Sequence, residues 1–124
     1  MLDHVALEVA DLARAARFYD ALMHALGGRR IVDSPDGIGY GRDRPEVWIM
    51  PRAAAAESAA TARGHVAIAA AGRRAVDAAH AAGVANGGRD GGAPAARAFG
   101  PPNYYSGYLV DPDGAWLELV SGSR

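Results

Sequence analysis

Two amino-acid types are missing from this sequence, and both absences narrow its chemistry. None of the 124 residues is cysteine, so disulfide bonds, thiolate metal sites and cysteine nucleophiles are excluded, and a cytoplasmic location is the default expectation. There is also no lysine, since all 13 of its Lys and Arg residues are arginine. Schiff-base formation by lysine and a lysine general base are therefore excluded as well.

Long apolar runs and a strong net charge are missing too. No apolar run approaches the roughly 18 residues of a membrane span, and residues 1–4 lack the basic start of a signal peptide. The net charge is -1, with acidic and basic residues mixed along the chain, which does not predict nucleic acid or a membrane as the main partner. Because 50% of the residues are hydrophobic, a single folded domain with its own core is expected.

Residues 111–120, D-P-D-G-A-W-L-E-L-V, predict a type I turn followed by a strand. The strand alternates, with its two leucines on one side and Trp116, Glu118 and Val120 on the other. A buried, unpartnered carboxylate would cost several kcal/mol. Glu118 is thus expected to meet an arginine, a metal or water in an open cleft, unless that face of the strand is simply solvated.

The rest of the chain shows two helical patterns among short strands. Asp11 is a good N-cap for a helix with one apolar stripe that ends at Gly27 and Gly28. The remaining elements are predicted as strands at 2–9, 29–33, 37–41, 46–50 and 65–70, a helix over 73–82 that ends at Gly83, a possible strand at 84–88, a loop over 89–102 and a tyrosine-rich segment over 103–110.

An internal repeat fixes the domain organisation. H-V-A-L at residues 4–7 returns as H-V-A-I at residues 65–68, and each copy opens a strand-helix-strands unit. The chain is therefore predicted to be one domain of two modules, residues 1–52 and 64–124, joined at 53–63. The alanine-rich segment 53–63 is predicted to be a linker, with a short helix as the alternative.

The repeat places two histidines, His4 and His65, at equivalent positions, so that they can face one another across a shared interior. Together with Glu118 they form a hypothetical metal site with positions left open for substrate. Two imidazoles and one carboxylate suit Fe, Mn, Ni or Zn as divalent ions. The alternative is that each histidine is an ordinary core or surface residue, as we expect for His24 and His80.

With these motifs in hand, the chain resembles the vicinal oxygen chelate superfamily, which includes glyoxalase I, extradiol dioxygenases, fosfomycin-resistance thiol transferases and bleomycin-resistance proteins. The resemblance rests on His4, on D-L-x-x-x-x-x-F-Y at residues 11–19, on His65 and on residues 111–120. It implies an α+β fold in which two βαβββ modules form a half-open, eight-stranded cup, usually in a homodimer. It also implies metal ligands at His4, His65 and Glu118.

One departure from glyoxalase I concerns its fourth ligand, a glutamate on the last strand of the first module. In this chain Trp48 or Ile49 takes that place, and the lost carboxylate is also the base of glyoxalase chemistry. The three-ligand pattern that remains resembles that of extradiol dioxygenases and fosfomycin-resistance enzymes. Because the latter use lysine among their substrate-binding residues, fosfomycin resistance is less favoured than a generic assignment to the superfamily.

Aromatic residues are predicted to bind a small organic substrate in the cup, with packing in the core or in the dimer interface as the alternative. They are Trp48, Phe99, Tyr104, Tyr105 and Tyr108. Arg52 and Arg97 are candidates for contact with an anionic substrate, but exposed arginines are common and nothing in the sequence distinguishes these two. The sequence thus predicts a metal-dependent lyase, isomerase or dioxygenase that chelates two neighbouring substrate oxygens. The alternatives are a metal-free protein that sequesters an antibiotic, as bleomycin-resistance proteins do, and a scaffold whose ligands persist in a blocked cup.

Overall fold

The computed structural model describes residues 2–52, 64–98 and 100–123. The predicted linker at 53–63 and Phe99 lie outside these described residues. The first module consists of β1 (Val5–Val9), α1 (Leu12–Ala25), β2 (Arg29–Ser34), β3 (Gly37–Gly41) and β4 (Val47–Pro51). The second consists of β5 (His65–Ala69), α2 (Arg73–Ala85), β6 (Arg89–Ala96), β7 (Tyr105–Val110) and β8 (Trp116–Ser121).

Each module contributes one four-stranded sheet, with the same strand order in both. The orders are β1-β4-β3-β2 and β5-β8-β7-β6. In each sheet the first and last strands of the module pair in parallel, and the remaining neighbours are antiparallel. The predicted α+β fold of two βαβββ modules is therefore confirmed. Among the helices that the structure describes, none is long and apolar enough to cross a membrane.

Helix α1 forms where the sequence predicts it. The side chain of Asp11 accepts a hydrogen bond from the backbone N–H of Arg14 at 3.1 Å, and so caps the first turn. The chain leaves the helix through Gly27, whose φ of 79° is accessible to glycine at little cost. Ala15, Tyr19 and Leu22 of the apolar stripe are fully buried.

The predicted end of α2 at Gly83 is wrong, because the helix continues to Ala85. The short strand predicted at 84–88 is wrong for the same reason. Gly83 is buried, and a Cβ added there would lie 2.5 Å from Leu109 Cδ1 and 3.2 Å from Phe18 Cε2. This glycine therefore meets a packing requirement and does not terminate the helix.

The loop predicted over 89–102 is also wrong in its first half, which forms β6. The strand lies at the edge of its sheet, where the lack of an N–H at Pro94 is tolerated. Register shifts interrupt its pairing with β7, and Pro94 packs against the bare backbone of Gly107. Because β6 is irregular, it contains the glycine and proline residues that are typical of a loop.

The two modules pack through their helices and through the turn before β8. Helix α1 packs against α2, and the Tyr19 hydroxyl donates a hydrogen bond of 2.7 Å to the buried Asp111 carboxylate. Asp113 in the same turn accepts hydrogen bonds from the Arg14 guanidinium at 3.0 Å and from the Ala10 backbone at 2.9 Å. The D-P-D-G turn thus holds the first module against the second.

Replacing Tyr19 with phenylalanine is expected to lower the free energy of unfolding by about 1–3 kcal/mol, because a buried carboxylate oxygen loses its donor. Urea denaturation measures this change. Tyr105→Phe is the matched control, since its hydroxyl bond to Asp77 lies at an exposed position and is worth less. An equal loss in the two variants would contradict the assignment of the buried bond as the stronger one.

Candidate functional site

The open face of the second sheet carries the candidate site. In the strand register Ala67, Glu118 and Tyr108 lie side by side on β5, β8 and β7. Leu117 and Leu119 point to the opposite face, where α2 packs, and are fully buried. The alternation predicted for β8 is therefore the alternation that positions Glu118.

The Glu118 side chain is only 5% exposed, and two polar side chains meet its carboxylate. The Nε2 atom of His65 lies 3.1 Å from Oε2, and the Tyr104 hydroxyl donates to Oε1 at 2.7 Å. The Tyr104–Glu118 hydrogen bond raises the pKa of Tyr104 to about 12, so this hydroxyl stays protonated and able to donate at neutral pH. The buried carboxylate therefore meets an imidazole and a phenol, neither of which is among the partners expected from the sequence, namely an arginine, a metal or water.

A cleft of about 300 Å³ adjoins His65. It is lined by Gly64, His65, Gly91, Tyr108 and Trp116. Trp116 remains 44% exposed, and its ring lies across Gly91, where a Cβ would approach the ring to 2.7 Å. The sequence pattern predicts no role for Trp116, although its place two residues before Glu118 puts it on the same face.

The spacing of His65 and Glu118 tests whether they suit a metal. Ligand atoms about 2.1 Å from one ion lie roughly 3.0–3.4 Å apart at octahedral or tetrahedral angles. The 3.1 Å between His65 Nε2 and Glu118 Oε2 falls in this range. The two side chains therefore fit as neighbouring ligands without rearrangement, once the imidazole nitrogen is deprotonated.

The third predicted ligand, His4, lies elsewhere in the chain. It comes directly before β1 on the first sheet, and its Nδ1 contacts Asp3 Oδ2 at 2.6 Å. Over residues 2–52, 64–98 and 100–123, no group of three His, Cys, Asp or Glu side chains is arranged to hold a metal. A single described chain thus brings together two of the three predicted ligands.

Two of the predicted aromatic residues also lie away from Glu118. Trp48 lies on the first sheet beside Ala6, and its ring crosses Gly39, where a Cβ would approach it to 3.2 Å. Tyr105 alternates to the helix side of β7, and its hydroxyl donates to Asp77 of α2 at 2.6 Å. Tyr104 and Tyr108 are the predicted aromatic residues that the structure places beside Glu118.

Comparison with known proteins identifies the family. The family model for the Glyoxalase/Bleomycin resistance protein/Dioxygenase superfamily matches residues 1–119. The chain belongs to this superfamily. A comparison with curated protein sequences gives no match.

Solved structures of the glyoxalase superfamily resemble the chain over nearly its whole length. A glyoxalase/bleomycin resistance protein from Albidiferax ferrireducens T118 is 28% identical, covers 95% of both chains and has a TM-score of 0.77. A variant of glyoxalase I from Zea mays is also 28% identical with a TM-score of 0.68, and the match covers 95% of this chain and 44% of the maize chain. A glyoxalase-related enzyme from Fulvimarina pelagi, at 21% identity and a TM-score of 0.72 over 97% of this chain and 86% of its own, shows the fold alone.

Proposed function

We propose that this glyoxalase-superfamily protein is a metal-dependent enzyme that acts on a small organic substrate. Its divalent metal is held by His65 and Glu118 of one chain and by His4 of the partner subunit in a homodimer. The observation that carries the proposal is the 3.1 Å spacing of His65 Nε2 and Glu118 Oε2, which suits two ligands of one ion. When bound, the metal would polarise two neighbouring substrate oxygens as a Lewis acid.

A second copy supplies the missing ligand because the helices leave one face of each sheet uncovered. Helix α1 packs on the first sheet and α2 on the second, and the two helices also pack on each other. The uncovered face of the first sheet carries Trp48 beside the His4 strand, and that of the second carries His65 and Glu118. Pairing these unlike faces between two chains builds the eight-stranded cup twice, as twofold symmetry requires.

The neighbouring side chains have separate tasks in this site. The Tyr104 hydroxyl holds Oε1 of Glu118 and so directs Oε2 toward the ligand position beside His65. The cleft between Tyr108 and Trp116 accepts the apolar part of a substrate. Strand β4 carries Trp48 and no carboxylate that would serve as a fourth ligand and as the base of glyoxalase chemistry. This favours a dioxygenase, or a lyase or isomerase that does not need a carboxylate base on β4.

Mixing two inactive variants tests both the ligands and the shared arrangement. His4→Ala and Glu118→Ala homodimers are each expected to lose the metal. When the two are unfolded together and refolded, a heterodimer regains about one metal site, because His4 of one chain meets His65 and Glu118 of the other. Elemental mass spectrometry of the separated heterodimer, purified without chelators, measures the metal.

The control is a His24→Ala chain, which lacks a helix-surface histidine and should keep the wild-type metal content. A heterodimer with no metal, from variants that each lack it, would place all three ligands within one chain. Unchanged metal content in the single variants would contradict the ligand assignment.

One observation favours a second function, metal-free sequestration of a small molecule. Both oxygens of Glu118 already have partners, since His65 contacts one and Tyr104 donates to the other. The carboxylate is therefore satisfied without an ion. Wild-type protein that takes up no Fe, Mn, Ni or Zn on reconstitution, yet binds an apolar ligand in the Trp116 cleft, would support this function instead.

A further inference from the structure

Arg97 follows β6 and lies over the open face of the second sheet. Its Nε donates to Ser106 Oγ at 3.1 Å, and its Nη2 donates to the Ser106 carbonyl at 2.8 Å and to the Ala93 carbonyl at 3.2 Å. The guanidinium carbon also lies 5.6 Å from the centre of the Tyr108 ring. Because Ser106 is fully buried, these bonds fix the position of the arginine head.

No carboxylate among residues 2–52, 64–98 and 100–123 forms an ion pair with the guanidinium of Arg97. All of its hydrogen-bond acceptors are neutral, and within the described part of the chain it forms no ion pair. By contrast, Arg30 binds Asp20 and Asp33, and Arg14 binds Asp113. Of the five N–H donors of a guanidinium, the two on Nη1 have no acceptor among the residues that the structure describes.

The position of Arg97 relates it to the candidate metal ligands. Its anchor Ser106 lies on β7 two residues before Tyr108, and Tyr108 is the register partner of Glu118. The guanidinium packs over the ring of Tyr108, so one side chain lies between it and Glu118 on this face of the sheet.

We propose that Arg97 determines substrate specificity by binding an anionic group, so that the substrate is a small organic anion such as a carboxylate. The inference rests on the proposed function, because it assigns one end of the substrate bound at the same site. The N–H groups of Nη1 donate to the anion. Because the bonds to Ser106 already fix the guanidinium, binding the anion costs little side-chain entropy. A fixed guanidinium favours a planar oxyanion over a neutral group of equal shape.

Benzoate and benzamide are suitable probes because they match in size and differ in charge. Both are titrated into wild-type protein at low salt, with binding followed by tryptophan fluorescence. Benzoate is expected to bind at least about tenfold more tightly than benzamide, since charge-assisted hydrogen bonds are roughly twice as strong as neutral ones. In Arg97→Gln this preference should disappear while benzamide binding is unchanged, and Arg52→Gln is the control arginine that should keep it.

Equal binding of the two probes to the wild-type protein, or a preference that persists in Arg97→Gln, would overturn the inference. If that variant does not fold, nitrogen-15 NMR of the wild-type protein decides. The Nε–H signal of Arg97 is assigned as the arginine signal that is absent from the spectrum of Arg97→Lys. In the wild-type protein this signal must shift on addition of benzoate and stay in place on addition of benzamide. Metal content is measured on the same samples, so that an Arg97-dependent preference in a metal-free protein separates failure of the proposed function from failure of this inference.

Discussion

Glu118→Gln is expected to weaken divalent-metal binding by more than about 100-fold, whereas Tyr104→Phe should weaken it by roughly 10–100-fold. The larger effect follows because glutamine replaces a charged ligand atom by a neutral amide. The smaller effect follows because phenylalanine leaves the carboxylate in place and removes only the hydroxyl that orients it through the 2.7 Å bond. Competition with a chromogenic chelator measures both affinities.

The stability of the Glu118→Gln protein shows whether weaker metal binding comes from loss of a ligand or from loss of the fold. Glutamine has nearly the shape of glutamate and still accepts the Tyr104 hydroxyl, and removing a buried charge lowers the desolvation cost. We therefore expect the metal-free Glu118→Gln protein to be at least as stable as the wild type in urea. Glu46→Gln, at an exposed carboxylate directly before β4, is the matched control. Wild-type affinity in Glu118→Gln, or a stronger effect from Tyr104→Phe, would contradict the proposed site.

The parts of this fold that the sequence predicts are those with local causes. Asp11 and Gly27 mark the ends of α1 because capping depends on the neighbouring residues in the chain. The alternation around Glu118 predicts which side of β8 it occupies because the strand period is two. The repeat around His4 and His65 predicts the two modules because each copy carries the same local pattern.

The features that the sequence does not predict depend on contacts between distant segments. Gly83 looks like a helix end until Leu109 and Phe18 are packed against it. Arg97 looks like any exposed arginine until Ser106, on the next strand, fixes its head. The symmetry of His4 and His65 predicts related positions, but it does not tell which sheets pair, since modules within one chain and modules of two chains would use the same residues.

Phe18→Ala is expected to lower the free energy of unfolding by about 3–5 kcal/mol, because the fully buried ring leaves a cavity between the modules. The ring of Phe18 occupies the space left by two glycines of the second module. A Cβ at Gly83 would lie 3.2 Å from Phe18 Cε2, and a Cβ at Gly88 would clash with the same atom. The Tyr19 ring, 4.8 Å away edge to face, closes the other side.

The decrease expected for Phe18→Ala is a large share of the free energy of unfolding of a typical domain, which is roughly 5–15 kcal/mol. The melting temperature should therefore fall by on the order of 10–20 °C. Differential scanning calorimetry measures it, and Val84→Ala at an exposed position of α2 is the control, with an expected effect within about 0.5 kcal/mol. Since α1 and α2 hold the uncovered sheet faces in their relative positions, Phe18→Ala should also weaken metal binding at the proposed shared site. A decrease in the free energy of unfolding of less than about 1 kcal/mol would mean that the modules of one chain do not associate through the contact of Phe18 with the second module.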